Sequence, residues 1–371
     1  MPVRRRADRR IMSEPTMGAV SMEELQLATR NHGMPLEALR YPVTPVGLHY
    51  LLIHYDIPAI DPTTWRLRVD GSVGQRLELS LADLRAMPAT TRTLTMECAG
   101  NGRALLDQRP ASQPWLVEAV GTGSWTGVEL DAVLTAADVQ PVAEEILFTG
   151  ADRGLEGGVE QSYQRSVPLD VANSSGVLLA YGLNGAALPP QHGFPLRLLV
   201  PGWYGMTNVK WLTTITALDA PFTGYQQTTA YRRRQTEEEV GQPVSLMLPR
   251  SLMVPPGIPD FFTRARHVQP GMNELTGRAW SGIAPIVSVE VSTDGGMRWD
   301  AAELDAEPDD VAMWRGWRIS WGAEPGDHEL CCRATDRAAN AQPLQPEWNR
   351  GGYANNAVQR VPAHVADQSP R

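Results

Sequence analysis

Cys98 is the first residue whose type and surroundings suggest chemistry. It ends the strand-like run RTLTMEC and is followed by AGNGR, which closes on Arg103. A thiolate binds transition metals, and one protein sulfur is enough where a cofactor supplies the remaining ligands. The same stretch contains Asn101-Gly102, a strong signal for a two-residue hairpin turn, which would make Cys98 an ordinary half-buried residue. A third interpretation makes Cys98 a redox-active thiol.

A second candidate site is the segment Gln191–Leu212, which places His192, Arg197 and Lys210 among glycines and prolines. Backbone amides and cationic side chains in such a loop could hold a phosphate. Lys210 is the only lysine among 33 basic residues, which favours a site that needs a compact ammonium with a movable pKa. The alternative is an ordinary turn with surface bases, whose lysine reflects chance and codon bias.

A third candidate is TRNHG, Thr29 to Gly33. Arg30 and His32 lie two residues apart, so they share a side if the segment is extended and could face a small oxyanion. Taken alone, the segment is more typical of polar surface sequence.

The elements that must position these residues interleave in the first half of the chain. Strand patterns cover TWRLRVDG, RTLTMEC, EEILFTG, GVLLAYGLNG and FPLRLLVPG, and helical patterns cover LSLADLRAMP and GVELDAVLTAADV. There is no regular βαβ repeat and no Gly-x-Gly-x-x-Gly fingerprint, so the pattern predicts an α+β fold rather than a Rossmann sheet. A polar, charged segment from about 223 to 243 is typical of a linker or interdomain strap.

The second half has a purely β pattern. In IVSVEVSTDGGMRWD, valines alternate with polar residues and Asp-Gly-Gly marks a turn, while WRISW places Trp317, Ile319 and Trp321 on one face. Short strands without a helical period predict an all-β immunoglobulin-like sandwich. The predicted organisation is a disordered basic tail over 1–22, a catalytic domain over 23–235 and a sandwich over 243–365.

Length and composition bound the function. A chain of 371 residues suggests two domains, and a net charge of −9 argues against binding nucleic acid or an anionic membrane. The three cysteines have neither zinc-site nor haem-attachment spacing. The arginine-rich start lacks the apolar stretch of a signal peptide, and no window approaches a membrane span of about 20 apolar residues. We therefore expect a cytoplasmic protein, with the periplasm left open if the start is misassigned.

Several longer motifs resemble one family. RNHG, ECAGNGR, LLAYGLNG, HGFPLR, PGWYGMTNVKWL, GRAWSG, VEVSTDGG and QPEWNRGGY, in this order, look like the sulfite oxidase family of molybdopterin enzymes, over about Leu25 to Val361. The family also includes the molybdenum domain of assimilatory nitrate reductases. The resemblance implies a sulfite-oxidase-type α+β molybdopterin domain followed by an immunoglobulin-like domain that forms a homodimer.

The resemblance also implies roles for individual residues. It makes Cys98 the thiolate ligand of molybdenum. Arg30 and Arg103 match arginines of the substrate pocket, and Tyr231 matches the tyrosine near the metal. Positions that contact the pterin or its phosphate match Ala28, Thr29, Arg30, Asn31, His32, Asp152, His192, Arg197, Asn208, Val209 and Lys210.

The function that the resemblance implies is oxidation of sulfite to sulfate by oxygen-atom transfer. The cofactor would be molybdenum-molybdopterin, no haem is expected, and electrons would pass to an external acceptor such as a soluble cytochrome. Arginine suits a small oxyanion because it offers forked, charge-assisted hydrogen bonds and does not lose its charge. One alternative is nitrate or sulfoxide reduction at the same metal. A second alternative is a non-catalytic binding or assembly module that keeps the fold.

Three positions depart from the family pattern. Gly102 stands where animal and plant members carry the first of two arginines, and Thr207 stands where an arginine is common. Trp348-Asn349 is followed directly by Arg350, so the third pocket arginine is either shifted or absent, which puts substrate affinity and identity in doubt. The other histidines, His49, His54, His267, His328 and His364, have no constellation around them in sequence. Cys331 and Cys332 are expected to be one buried and one partly exposed sulfur in a strand.

Overall fold

The computed structural model describes residues 20–308 and 310–367. The basic tail predicted for residues 1–22 lies, up to residue 19, outside the described residues. The helices of the described part are α1 (Met22–Ala28), α2 (Leu81–Ala86), α3 (Leu130–Ala136) and α4 (Leu169–Ala172). Shorter helical turns are the 3-10 turns Leu36–Arg40, Val46–Leu48, Arg103–Leu105, Pro190–His192 and Gly205–Thr207, and the π-helical turn Gln226–Ala230.

The described residues form twenty-two strands, numbered here in chain order. The first half contains β1 (Leu67–Gly71), β2 (Leu77–Leu79), β3 (Thr90–Glu97), β4 (Val120–Glu129), β5 (Glu145–Glu156), β6 (Val159–Pro168), β7 (Leu178–Leu183), β8 (Ala186–Ala187), β9 (Arg197–Leu199), β10 (Leu212–Leu218), β11 (Arg232–Arg233) and β12 (Gln242–Pro243). The second half contains β13 (Arg250–Met253), β14 (Ile258–Pro259), β15 (Arg266–Val268), β16 (Gly271–Trp280), β17 (Ile286–Ser292), β18 (Asp300–Ala301), β19 (Glu303–Leu304), β20 (Arg315–Ala323), β21 (Gly326–Asp336) and β22 (Gln359–Val365).

Two sheets build the first half. One has the strand order β2-β1-β10-β5-β6, in which only β1 and β10 run parallel. The other has the order β3-β4-β7-β8, with β9 added on β7. Apolar residues of both sheets share one core with α2 and α3; Val69, Phe148 and Ile215 come from the first sheet and Val128, Leu179 from the second. The mixed α+β prediction is confirmed.

The hairpin predicted at Asn101-Gly102 is wrong. Strand β3 does pair antiparallel with β4, but Glu97 lies opposite Val120, so residues 98–119 separate the two strands. Gly102 has a φ of 87° and caps a 3-10 turn inside this long connection. The Asn-Gly signal therefore marks a real turn, but one that serves the Cys98 loop instead of joining paired strands.

The predicted helix over 127–139 begins later than its pattern suggests. Gly127 to Glu129 belong to β4, and α3 starts at Leu130. A Cβ at Gly127 would lie 2.1 Å from the carbonyl oxygen of Leu179, so this position is tied closely to β7. Cross-strand packing thus overrides the helical period at this end.

Two sheets packed against each other build the second half, which confirms the predicted sandwich. Their strand orders are β13-β16-β20-β19 and β14-β15-β22-β21-β17-β18. Trp317 and Trp321 of β20 pack in the shared core with Val289 and Val291 of β17, as the alternation predicts. Cys331 and Cys332 are both buried and free, so the prediction that one is partly exposed is wrong.

The charged segment between the halves carries structure. It contains the turn Gln226–Ala230 and the antiparallel pair of short strands β11 and β12. Tyr231, which lies between this turn and β11 in the sequence, is buried. A separate observation concerns membranes: within residues 20–308 and 310–367, no helix combines the length and the apolar character needed to cross a bilayer.

Candidate active site

Cys98 lines a partly enclosed cavity. Seven of the predicted site residues meet there although they come from four separate segments of the chain. They are Cys98, Asp152, His192, Arg197, Asn208, Lys210 and Tyr231. The cavity is also lined by residues that were not predicted to belong to the site, among them His49, Tyr50, His54, Met96, Tyr163 and Met206.

The Cys98 loop is held by a network around Glu97. The backbone N–H of Cys98 donates to Ala119 O at 2.9 Å, and the backbone N–H of Asn101 donates to Cys98 O at 3.0 Å. Asn101 Nδ2 donates to Glu97 Oε1 at 3.0 Å, and Asn101 Oδ1 accepts from the Ala119 amide at 3.0 Å. Asn101 thus ties both ends of the β3–β4 connection together and fixes the direction of the thiol.

The same glutamate connects the two halves of the chain. Glu97 Oε2 accepts from Trp280 Nε1 at 2.9 Å, and Glu97 Oε1 lies 2.8 Å from Arg250 Nε as an ion pair without a well-aligned hydrogen bond. Both charged side chains are almost fully buried. The sandwich therefore contacts the residue directly before Cys98.

A cationic group forms one wall of the cavity. Arg197 on β9 donates from Nη1 to His192 O at 3.0 Å and from Nη2 to Asn208 O at 3.3 Å. Lys210 Nζ donates to Leu52 O at 2.8 Å and to Gln191 O at 3.2 Å. These contacts are to neutral carbonyls, so the positive charges of Arg197 and Lys210 keep the capacity to bind an anion.

Two residues give this wall its shape. Gly193 has a φ of 109°, and a Cβ there would lie 3.1 Å from the Cβ atoms of both Arg197 and Lys210. Glycine therefore lets the His192 turn fold back between the two cations. Asn208 uses its side chain to hold the loop, because its Oδ1 accepts from the Val200 amide at 2.7 Å.

Burial dominates the electrostatics of this wall. Desolvation lowers the pKa of Lys210 to about 7, with the Arg197 charge adding to the fall and Asp152 opposing it. Burial also lowers the pKa of Arg197 to about 10 and that of His192 to about 2. Asp152 shifts the other way, because burial raises its pKa to about 6. A dianionic group such as a phosphate would relieve the unfavourable crowding of cations.

His49 and His54 belong to the site, so the expectation that no constellation surrounds them is wrong. His49 is buried with its ring centroid 5.6 Å from that of His192. His54 Nε2 and the Tyr231 hydroxyl are hydrogen-bonded at 2.5 Å. Burial lowers the pKa of His49 to about 4 and that of His54 to about 3, so both rings are neutral near neutral pH. The only signal in the sequence is a pair of His-Tyr dipeptides five residues apart.

Arg103 lies beside the thiol but lines a neighbouring cavity. Its Nε donates to Gly351 O at 3.0 Å, and its Nη1 donates to Ser112 Oγ at 3.1 Å. The guanidinium also stacks over the Tyr353 ring, 5.0 Å from the centroid. Its charge lowers the pKa of Cys98, although burial has the larger effect and raises that pKa overall.

The three departures from the family pattern have distinct surroundings. A Cβ on Gly102 would lie 2.9 Å from Asn355 Nδ2, so the left-handed turn leaves no room for a side chain there. Thr207 is fully buried and close to Met206 Sδ. Arg350 is half exposed and forms an ion pair with Glu237 at 2.8 Å.

The remaining predicted residues lie at the rim or behind the cavity. Arg30 is exposed, and its Nη2 donates to His54 O at 3.0 Å. The backbone of exposed His32 pairs with Leu51. Asn31 is buried and bridges Leu27 O and Gln113, while the Val209 side chain packs in the core. Ala28 and Thr29 end the first helix without lining the cavity.

The residues present fit a molybdopterin. Three buried polar atoms around the cavity, Asp152 Oδ1, Arg197 Nε and His49 Nε2, have no hydrogen-bond partner among the described residues. Such atoms are costly unless a bound group satisfies them. Chemically, Cys98 can hold a metal, while Arg197 and Lys210 can hold a phosphate.

Two family models match the chain. Residues 54–226 match the oxidoreductase molybdopterin binding domain, and residues 260–366 match the Mo-co oxidoreductase dimerisation domain. The boundaries predicted at 23–235 and 243–365 stay predictions. The chain is 35% identical over 347 residues to a sulfite oxidase of Gallus gallus, covering 86% of this chain and 72% of that protein.

Two further likenesses were found. The mitochondrial sulfite oxidase of Macaca fascicularis is 34% identical over 342 residues, covering 87% of this chain. The chain spans 62% of the length of that relative. Among solved structures, the sulfane dehydrogenase SoxCD of Paracoccus pantotrophus superposes with a TM-score of 0.77 at 25% identity, covering 90% of this chain and 86% of that one.

Fold, site and family models together define a molybdopterin-binding oxidoreductase, whose cofactor is molybdenum-molybdopterin. More narrowly, the chain belongs to the sulfite oxidase family.

Proposed function

We propose that the chain oxidises sulfite to sulfate and passes the electrons to an external one-electron acceptor such as a soluble cytochrome. The observation that carries this proposal is the buried thiol of Cys98 beside a cationic cavity, in a chain 35% identical to a protein named sulfite oxidase. Sulfite and water give sulfate, two protons and two electrons. The electrons need an acceptor outside this chain.

Cys98 would hold the metal, and the cationic wall would hold the phosphate of the pterin. When bound, the molybdenum cofactor supplies the oxygen-atom transfer and takes up the electron pair. Burial raises the pKa of the Cys98 thiol, whereas the Gly100 backbone and the Arg103 charge lower it and so favour the thiolate that metal binding requires. His192 and His49, both neutral, would provide hydrogen bonds rather than charge.

Arg103 and Tyr231 would bind the substrate. The Arg103 guanidinium is pre-positioned by Gly351 O, Ser112 and the Tyr353 ring, so little conformational entropy is lost when it binds an oxyanion. The Tyr231 hydroxyl lies at the cavity with neutral His54 as its partner. Tyr231 can therefore donate to a sulfite or sulfate oxygen while His54 fixes its orientation.

A second, more open cavity would form the entrance. Arg103 and Tyr353 line it together with Arg109, Arg232 and Arg234, and Glu156 contributes a carboxylate to the lining. Arg232 and Arg234 donate to backbone carbonyls, and only Arg109 of these three has an ion pair among the described residues, with Glu24. On a chain with a net charge of −9, this cluster would concentrate small anions at one entrance.

We further propose that the chain is a homodimer formed through the sandwich half. The support is the match of residues 260–366 to a dimerisation domain. Light scattering during gel filtration should give twice the mass of the chain. A mass of about 41 kDa at micromolar concentration would contradict the dimer.

Substrate specificity tests the function. Molybdenum-loaded protein should reduce an artificial one-electron acceptor with sulfite and should not oxidise a reduced dye with nitrate. Arg103→Met is expected to raise the Michaelis constant for sulfite by about tenfold or more, since a charge-assisted hydrogen bond contributes roughly 1.5–3 kcal/mol. Exposed Arg68 on β1 provides a matched control, and Arg68→Met should leave the constant unchanged. Nitrate turnover without sulfite turnover would support the reductase alternative and overturn this proposal.

A further inference from the structure

Arg165 is a buried cation beside the candidate active site, and it forms no ion pair with any of the described residues. It lies on β6 and is 2% exposed. Its Nε has no hydrogen-bond partner among the described residues, and its Nη1 donates to Gln226 O. Among the titratable groups around Arg165, Tyr163, Tyr231 and Tyr353 act on it most strongly, and the carboxylate of Glu145 acts on it more weakly.

Such an arrangement is unfavourable on its own. A buried guanidinium is costly unless an anion or a full set of hydrogen bonds compensates it. Two buried arginines outside the cavity have a carboxylate partner: Arg250 pairs with Glu97, and Arg266 contacts Glu37 and three carbonyls. Arg165, like Arg197 in the cavity wall, has no ion pair among the described residues, so its charge is available to act on the site.

The position of Arg165 links it to Tyr231. Its guanidinium carbon lies 5.6 Å from the centroid of the Tyr231 ring, close enough for a cation–π contact. The Gln226 carbonyl that it holds belongs to the π-helical turn directly before Tyr231. The hydroxyl of the same ring meets His54 in the cavity that Cys98 lines. Arg165 does not line this cavity itself.

We propose that Arg165 is a positioning residue for oxyanion binding through Tyr231. It anchors the turn Gln226–Ala230 and holds the Tyr231 ring by its face, so that the hydroxyl points at the cavity. Its positive charge behind the ring strengthens the hydroxyl as a donor toward an oxyanion. This inference rests on the proposed function for its substrate, and sulfate serves as a probe that does not depend on turnover.

The experiment measures sulfate binding by titration calorimetry on molybdenum-loaded protein, together with sulfite kinetics. Arg165→Met should weaken sulfate binding by about tenfold or more and raise the sulfite KM by a similar factor, with a smaller change in kcat. Arg165→Lys should fall between, since an ammonium keeps the charge but cannot both cover the ring and reach Gln226 O. Arg153→Met, which removes an exposed arginine of the adjacent strand β5, is the matched control and should change neither constant.

A double-mutant cycle separates positioning from a general structural effect. In a Tyr231→Phe background, Arg165→Met should change the sulfate Kd by less than about threefold, because the hydroxyl through which Arg165 acts is gone. Equal effects of Arg165→Met with and without the hydroxyl would overturn the proposal. So would sulfate binding by Arg165→Met or Arg165→Lys at the wild-type level.

Two outcomes distinguish this inference from the proposed function. If Arg165→Met fails to fold, judged by thermal unfolding and metal content, Arg165→Lys in the same cycle decides the question. If wild type oxidises sulfite but Arg165 variants bind sulfate normally, the inference fails and the function stands. If wild type does not oxidise sulfite but sulfate binding depends jointly on Arg165 and Tyr231, the function fails and the inference stands.

Discussion

Replacing Glu97 by glutamine is expected to destabilise the joint between the two halves of the chain. The substitution keeps the shape of the side chain but removes its charge. Arg250, which is 2% exposed, then loses the carboxylate 2.8 Å from its Nε. Trp280 Nε1 loses its charged acceptor, and Asn101, which fixes the Cys98 loop, donates to a weaker one.

The magnitude follows from the burial of both charges. Removing one partner of a buried ion pair costs about 3–5 kcal/mol, because the other charge remains without compensation. For domains of this size, 1 kcal/mol lowers the midpoint of thermal unfolding by roughly 2–4 °C. Glu97→Gln should therefore lower the midpoint by roughly 6–20 °C. Adding Arg250→Met should cost at least about 1 kcal/mol less than the sum of the two single changes.

The assay is thermal unfolding of wild type and variants at one protein concentration and one metal loading. Glu160→Gln is the control, since it breaks the exposed pair Arg153–Glu160, whose side chains are 63% and 61% accessible. Exposed pairs contribute about 0–1 kcal/mol, so this variant should unfold within a few degrees of wild type. A midpoint for Glu97→Gln equal to that of Glu160→Gln would refute the reasoning.

Three further predictions concern the site. Gly102→Arg introduces the arginine that the family resemblance leads one to expect at this position. It should destabilise the chain by more than Gly185→Arg, because both glycines have a left-handed φ but only Gly102 has a neighbour, Asn355, at the Cβ position. Equal unfolding midpoints for the two variants would contradict this. In cofactor-free protein, the unfolded chain binds more protons than the folded chain between pH 4 and 6.5, because burial lowers the pKa of His49 to about 4. The free energy of unfolding should therefore fall as the pH drops through this window, by up to about 3 kcal/mol from this residue. His49→Gln should reduce the dependence of the unfolding free energy on pH, measured by urea unfolding at several pH values. The same dependence on pH in wild type and His49→Gln would count against this prediction. Arg103→Lys should keep sulfite turnover and should raise the KM for sulfite by less than Arg103→Met does, because lysine keeps the positive charge. Equal KM values for the two variants would contradict this, since they would show that a positive charge at this position does not contribute to sulfite binding by itself.

Much of the sandwich could be predicted from sequence. The alternation around Val289 and Val291, and that of Trp317 and Trp321, follows directly from strands with one buried face. In the first half of the chain, local sequence patterns predicted strand pairing less well than in the sandwich. Asn101-Gly102 has the chemistry of a hairpin turn, but the partner of β3 lies beyond a long connection, which no local pattern encodes.

The site was predictable only where motifs marked it. Cys98, His192 and Lys210 lie in Gly-rich stretches that are unusual for plain strands. His49 and His54 went unnoticed because they lie in a segment without regular period, and only the tertiary fold places them by His192 and Tyr231.

Arg165 was missed for a different physical reason. It alternates with Tyr163 and Val167 on the buried face of β6. A charged residue in a strand normally indicates the solvent face, so the pattern points the wrong way. Only the surroundings of the guanidinium in the folded chain reveal its burial and the lack of an ion pair with the described residues.

The most direct test of the central claim is sulfite-dependent acceptor reduction per bound molybdenum in wild type, Cys98→Ser and Cys331→Ser. Cys331 is a matched control, because it is equally free and buried but lies in the sandwich. Wild type and Cys331→Ser should turn over sulfite at similar rates, and Cys98→Ser should lose about a hundredfold or more, since a metal ligand affects activity at least as strongly as the residues that support it. Sulfite turnover by Cys98→Ser at the wild-type rate per molybdenum, or none by fully loaded wild type, would contradict the account.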